Sequence, residues 1–166
     1  MPATPISHIG ILVHDLEAAK VRFSQAFGID FQDTVQFSGV QFARGEDKVL
    51  EAGAYAFSVE GPVFLELLQS QDNDGVYSRD RGEGVHHLAM LVPDTAEHLE
   101  HELAPHGLHA EYEITLPGEG CMLAAYLDPA DVHGCRIELL NRVPGILGVE
   151  EQAIVEAALG LSNRKA

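Results

Sequence analysis

Gly84-Val85-His86-His87-Leu88-Ala89-Met90-Leu91-Val92-Pro93-Asp94 repeats, in residue type, a stretch from the start of the chain, Ile6-Ser7-His8-Ile9-Gly10-Ile11-Leu12-Val13-His14-Asp15. With His87 set on His8, Leu88 falls on Ile9, Ala89 on Gly10, Met90 on Ile11, Leu91 on Leu12, Val92 on Val13 and Asp94 on Asp15. The offset is 79 residues in a chain of 166, close to half its length. A strand with a His near its start, followed by an Asp able to cap a helix, therefore occurs twice. A repeat of this kind decides the architecture before any single element does.

Working outward, each copy leads into the same order of elements. In the first half, residues 6–13 read as a strand, short and apolar between Pro5 and Asp15. Asp15 is a good N-cap. Leu16, Ala19, Phe23 and Phe27 form an apolar face at helical spacing, closed by Gly28. Strands follow at about residues 33–40, within 49–59, and at 63–69 after the turn residues Gly61-Pro62. Residues 70–84 are polar, hold the turn sequence Asn73-Asp74-Gly75, and read as a linker, with a short helical turn near Val76-Tyr77. The second half repeats this: a strand at 85–92, a helix over 94–106 ended by Gly107, and strands at 109–116, 121–127 and 134–141. The tail, with Val149, Ala153, Ile154, Ala157, Ala158 and Leu161 on an amphipathic pattern, predicts a helix outside both repeats.

Each half also ends alike, in Phe64-Leu65-Glu66-Leu67-Leu68 and Arg136-Ile137-Glu138-Leu139-Leu140. A Glu inside an apolar strand is costly unless paired, protonated or bound to a cation. Taken singly, His8 reads as a hydrogen-bonded core histidine, and Glu138 as a partner for its same-face neighbour Arg136. Taken together, His8, Glu66, His87 and Glu138 stand at repeated positions. Strand alternation puts Gly10 on the face of His8 and Ala89 on that of His87, leaving room beside each ring. Two imidazoles and two carboxylates converging on one concave surface suit a divalent ion such as Zn, Co, Ni, Mn or Fe. By the same alternation His86 faces away from His87, against the helix layer. His14 and His133 fall in loops; His98, His101, His106 and His109 read as surface residues.

Composition sets the bounds. The formal charge is −16, from 26 acidic and 10 basic residues, which excludes a nucleic-acid backbone as partner. With 46% hydrophobic residues the chain can bury a core. It has no apolar run near the ~20 residues needed to cross a bilayer, and its first residues lack a signal-peptide pattern. Cys121 and Cys135 do not make a disulfide framework and suit buried positions in a reducing, cytoplasmic setting. The expected partner is a small molecule, with neither membrane nor nucleic acid.

The paired halves, with His in Ile-Ser-His-Ile-Gly-Ile-Leu-Val-His-Asp-Leu and in His-His-Leu-Ala-Met-Leu-Val-Pro-Asp, and Glu in Leu-Glu-Leu-Leu and Ile-Glu-Leu-Leu, resemble the vicinal oxygen chelate superfamily of glyoxalases, bleomycin-resistance proteins and dioxygenases. Within it the chain looks most like the methylmalonyl-CoA epimerases, then glyoxalase I. The resemblance covers residues 6–141. It implies an α+β fold of two tandem βαβββ modules (about 6–70 and 85–141) forming an eight-stranded, half-open barrel around one metal site. That domain would span residues 1–145, with residues 146–166 as a C-terminal helical extension, and the chain would form a homodimer by analogy. The ligands implied by position are His8, Glu66, His87 and Glu138.

The implied chemistry is that of a metal-dependent isomerase, epimerase or lyase. It removes a proton next to the carbonyl of an acyl-thioester or α-keto hemithioacetal, through a metal-stabilised enediolate. Glu138 or Glu66 serves as the proton shuttle. Epimerases resemble one another in a further Glu on a middle strand of the first half, for which Glu46 and Glu51 are the candidates. Two other functions exist in the superfamily: metal-free binding of a small molecule, and iron-dependent ring cleavage.

Overall fold

A computed structural model describes residue 4 and residues 6–61, 63–115 and 122–141. The proposed C-terminal helix, Cys121 and the turn at 117–120 lie outside the described residues. The chain runs β1 (Ile6–Val13), α1 (Leu16–Phe27), β2 (Val35–Arg44), β3 (Asp47–Phe57) and β4 (Phe64–Gln69), then β5 (Gly84–Val92), α2 (Thr95–Glu97), β6 (Ala110–Thr115), β7 (Met122–Leu127) and β8 (Ile137–Asn141). Helix α2 continues as a π-helical stretch, His98–Leu103, and a 3-10 turn, Ala104–His106. The caps read from sequence are in place. Asp15 accepts from the Ala18 N–H and Asp94 from the Glu97 N–H, while Gly28 ends α1 in the left-handed region at φ 68°.

The eight strands close into one barrel in the order β1-β4-β3-β2-β6-β7-β8-β5. In each half the first strand lies parallel to the last, β1 beside β4 and β5 beside β8. The halves meet antiparallel along two seams. The β1–β5 seam is long. The β2–β6 seam holds only the pairs Gln41↔Thr115, Phe42↔Ile114 and Ala43↔Glu113, so the half-open barrel expected from the resemblance is closed at one narrow place.

Alternation along the strands sorts the core into layers. On β3, Ala54 and Ala56 face outward and pack with Leu16 under α1. Val92, Leu127 and Leu139 do the same under the α2 segment, against Leu99 and Leu103. The opposite faces fill the barrel with Leu12, Phe42, Leu68, Leu91, Tyr112, Ile114 and Tyr126. The stretch read as a polar linker departs from that reading at its centre. Val76 and Tyr77 are buried in the barrel, at 0% and 6% exposure. The Gln71 N–H donates to the Tyr77 carbonyl, and Gln71 and Ser78 form an isolated parallel bridge. These bonds satisfy the backbone of the segment that carries the two apolar side chains inward.

Candidate metal centre

The β1–β5 seam and the two parallel pairs bring the four expected residues to one point. Gly10 of β1 is opposite Glu66 of β4, and Ala89 of β5 is opposite Glu138 of β8. Across the seam, His8 is opposite Ala89 and His87 is opposite Gly10. Each His therefore sits over the small residue of the other half rather than beside its own. A Cβ at Gly10 would lie 2.0 Å from His87 Cε1, so only glycine fits there.

His8 Nε2 lies 3.1 Å from His87 Nε2. Glu138 Oε2 is 3.3 Å from His8 Nε2 and 3.2 Å from His87 Nε2, and Glu66 Oε2 is 3.4 Å from both. His8, His87 and Glu138 form the tightest group, one ligand atom from each lying within 4.8 Å of the others. Exposure of the four residues ranges from 1% to 8%, so water does not screen these charges. Burial alone would lower the His8 pKa, but the two carboxylates override it and lift the imidazole to about 9. The same contest raises His87. Burial would raise Glu66 and Glu138; the facing imidazoles hold both below the usual carboxylate range instead.

The residues flanking each His fix its tautomer. The Ser7 hydroxyl donates to the Ala89 carbonyl, so its oxygen accepts from His8 Nδ1–H at 3.2 Å. His86 Nε2–H donates to the Val76 carbonyl at 2.9 Å. Burial, the positive charge on His87 and that of Arg136 push His86 down to about 3, so its Nδ1 is bare. That atom accepts from His87 Nδ1–H at 3.0 Å. Nδ1 of His8 and of His87 is thus the donor, so loss of the second proton from either ring leaves an Nε2 lone pair pointing into the cluster. Two facing lone pairs between two carboxylates require a cation at their centre, a proton or a metal ion. Separations of 3.1–3.4 Å suit donors about 2.0–2.2 Å from a common centre. The set fits a divalent ion of borderline softness.

His86 does not face the helix layer, as simple alternation predicts. The pairing of β1 with β5 skips it, since Gly10 is opposite His87 and Ile11 opposite Val85. The extra residue forms a bulge that turns its ring toward His87. Ser7 is the extra residue on β1 in the same way, between Ile6↔Met90 and His8↔Ala89. Arg136, a same-face neighbour of Glu138, pairs with Glu111 at 2.8 Å and leaves Glu138 to the imidazoles.

The cluster forms the floor of a cavity of about 200 Å³. His8, Glu66 and Glu138 line it, and so do Phe37, Phe42, Tyr55, Phe57, Leu123 and Ile114. Of the two candidates for the further Glu, Glu46 is exposed in the β2–β3 turn. Glu51 is 3% exposed and shares the inner face of β3 with Tyr55 and Phe57. Asn73 Nδ2 donates to Glu51 Oε2 at 2.8 Å, and a Cβ at Gly75 would lie 2.0 Å from Glu51 Oε1. The Asn73-Asp74-Gly75 turn is thus moulded to this carboxylate.

The family described as the glyoxalase/bleomycin resistance protein/dioxygenase superfamily matches residues 7–126. The chain belongs to this superfamily. Among curated relatives it is similar to the uncharacterized protein YqjC of Bacillus subtilis (strain 168), 28% identical over 141 residues, covering 81% of this chain and 89% of that protein. Among solved structures it is similar to a variant of Streptomyces coelicolor methylmalonyl-CoA epimerase in complex with 2-nitronate-propionyl-CoA. That match has a TM-score of 0.59 and 26% identity, covering 83% of this chain and 96% of the other. The Mycobacterium tuberculosis methylmalonyl-CoA epimerase gives a TM-score of 0.62 over 87% of this chain and 94% of its own, at 23% identity, a likeness of fold. Together the superfamily and these epimerases support an isomerase-type role.

Within the superfamily frame, sequence reasoning missed Ser7, His86, Tyr77 and Tyr126. The Tyr77 and Tyr126 hydroxyls are 2.8 Å apart beneath the cluster. Burial, then the charge on Glu138, pushes both phenols well above their ordinary range. His86 adjoins His87 in sequence, and a bulge was the missing signal. Tyr77 carried no signal inside a polar stretch. His101, His106, His109 and His133 are exposed, as read, whereas His14 is half-buried with Nδ1 3.0 Å from the Ser70 hydroxyl. Cys135 is a half-buried free thiol.

Proposed function

We propose that the chain is a divalent-metal-dependent isomerase, epimerase or lyase that removes a proton next to a carbonyl. The observation that carries this reading is the approach of His8 and His87 to each other and to Glu66 and Glu138, at 3.1–3.4 Å, on the floor of a cavity. These four residues would hold the ion, which when bound supplies Lewis acidity toward a substrate oxygen and so acidifies the neighbouring C–H.

The chain's own residues do the rest. Ser7 and His86 hold the two imidazoles in the ligating tautomer. The apolar wall keeps water from the reacting carbon and strengthens every charge interaction inside. Glu138 and Glu66 line the cavity and are placed to exchange a proton with a substrate seated there. Glu51 is a buried carboxylate on the inner face of β3, held by Asn73 and free of the imidazole cluster. We assign it the part of the additional epimerase Glu, receiving or returning a proton on the opposite side of the reacting carbon. The 2-nitronate-propionyl-CoA held by the S. coelicolor epimerase supports an acyl-thioester as one substrate type.

The test is elemental analysis of protein purified without a metal-affinity tag, with solvent deuterium exchange into a panel of acyl-thioesters and α-keto hemithioacetals. The expected result is about one divalent ion per chain and exchange into one class, both lost in His87→Ala. Protein that takes up no metal after reconstitution, or exchange that survives His87→Ala, overturns the proposal.

A further inference from the structure

We propose that the substrate group seated beside the reacting carbon is uncharged and apolar, about one aromatic ring or one branched alkyl group in size, and bears no carboxylate of its own. This deepens the reading above and rests on it.

The cavity wall carries the argument. Above the metal cluster it is built from Phe37, Phe42, Phe57, Leu68, Ile114 and Leu123, with no lysine or arginine among the described residues that line it. Five cations among the described residues are engaged elsewhere. Arg136 and Arg44 both lie against Glu111, Arg79 pairs with Asp72, Lys20 with Glu17, and Arg81 donates to the Gly75 carbonyl. The Tyr77 hydroxyl is engaged by that of Tyr126. The lining charges other than the imidazoles are the carboxylates of Glu66 and Glu138. A second anionic group on the substrate would be set in an apolar wall, apart from the ion and with no lysine or arginine among the described lining residues to neutralise it.

Size points the same way. The space is about 200 Å³. An apolar cavity of about 150 Å³ holds a benzene molecule, so this one takes one ring plus a small chelating head at the cluster. Ring edges are already presented inward: Phe37 and Tyr55 lie 6.2 Å apart, and Tyr55 and Phe57 5.7 Å apart, in tilted and edge-on arrangements that suit a further aromatic group. A methylmalonyl group, as bound by one solved epimerase, ends in a carboxylate, and on this proposal the cavity here disfavours such a group.

The experiment uses three hydroxamates, which chelate a metal ion through two oxygens and differ only in what they place in the cavity. Metal-loaded full-length protein is titrated with acetohydroxamate, benzohydroxamate and the monohydroxamate of succinate. Benzohydroxamate is expected to bind about tenfold to a hundredfold more tightly than acetohydroxamate, from burial of the ring. The succinate compound is expected to bind more weakly than acetohydroxamate. Leu123→Arg, at a half-buried position on the wall, is expected to reverse the order. Equal or tighter binding of the succinate compound by the unmodified protein, or no gain from the ring, overturns the proposal.

Protein that takes up no metal fails the earlier reading, and the cavity is then tested alone by fluorine NMR of fluorobenzene with the metal-free chain. Binding lost in Leu123→Arg upholds the apolar cavity, and no binding overturns it.

Discussion

His86→Phe isolates the device that aims His87 at the metal. The ring stays about the same size and keeps its edge contacts with Tyr77 and Tyr126, whose centroids lie 5.5 and 5.7 Å away. What is lost is the bare Nδ1 that accepts from His87 Nδ1–H at 3.0 Å, together with the Nε2–H bond to the Val76 carbonyl at 2.9 Å. His87 is 1% exposed, so no water replaces it. In the metal-free variant His87 can move its proton to Nε2 and share it with Glu138 or Glu66, at 3.2 and 3.4 Å. Binding a metal forces that proton back to Nδ1, where it has no partner, at a cost of about 1–3 kcal/mol for an unsatisfied buried donor. Losing the Val76 bond costs folding, whereas the tautomer cost falls on binding and corresponds to about a tenfold to hundredfold loss of affinity. Competition of Zn or Co against a chromophoric chelator measures it, with near-UV circular dichroism to show that the barrel is intact. Ser7→Ala is the matched control on His8 and is expected to lose affinity in the same range. Affinity in His86→Phe within about twofold of the parent, with an intact spectrum, would refute the tautomer argument.

Five further outcomes follow from the geometry. Gly10→Ala would place a methyl 2.0 Å from His87 Cε1, so it is expected to abolish stoichiometric metal uptake; full uptake by elemental analysis would contradict the close approach. Glu138→Gln is expected to weaken both metal affinity and turnover, whereas Glu51→Gln is expected to cut turnover by at least tenfold with metal affinity unchanged. Equal exchange rates in Glu51→Gln and the parent would remove Glu51 from the reaction. Metal uptake by the metal-free protein near pH 7 is expected to release protons, because His8 stays protonated up to about 9 there; calorimetry in buffers of different ionisation enthalpy reads the number. In the metal-free protein this raised pKa also stabilises the fold, fully below pH 6.5 and progressively less as pH rises through about 9, which denaturant midpoints at the two ends would show.

The repeat made most of the barrel legible. Once His87 was set on His8, the strands and helices of one half predicted those of the other, and β1 spans the residues expected of it. The convergence of two His and two Glu followed from period-two alternation and the parallel pairing of first and last strands. Alternation also set the limit. At Ser7 and His86 the β1–β5 ladder gains a residue on one strand, the period breaks, and a side chain assigned to the outer face turns inward. Val76 and Tyr77 were hidden for another reason. A polar stretch with turn residues reads as surface, and nothing local reports that a parallel bridge and a carbonyl bond to His86 draw two of its side chains into the barrel.

The placement of the small residues shows why the site belongs to the pair of halves and not to either one. Within one half, β1 beside β4 supplies His8 and Glu66, an imidazole and a carboxylate 3.4 Å apart. That pair has too few donors to hold a divalent ion against water. The second half doubles the donor set, but only if the two His strands run close enough for Nε2 to face Nε2 at 3.1 Å. Gly10 and Ala89 permit that approach, each lying under the ring of the opposite half. A larger residue at Gly10 would press on the His87 ring and drive the donors apart. The two halves hold their rings by the same means and with different chemistry, a hydroxyl at Ser7 and an imidazole at His86, each on the bulged residue before the ligand. A divergent position that keeps one function in both copies is under the same geometric demand twice. On the proposed reading, Ser7 and His86 act on metal affinity as well as on the seam, where they bond the Ala89 and Val76 carbonyls. A double variant, Ser7→Ala with His86→Phe, is expected to lose metal affinity by the product of the two single losses and, without metal, to lose only the stability of the two buried carbonyl bonds, about 1–3 kcal/mol each. A shared collapse of stability would place both residues in the packing of the seam instead.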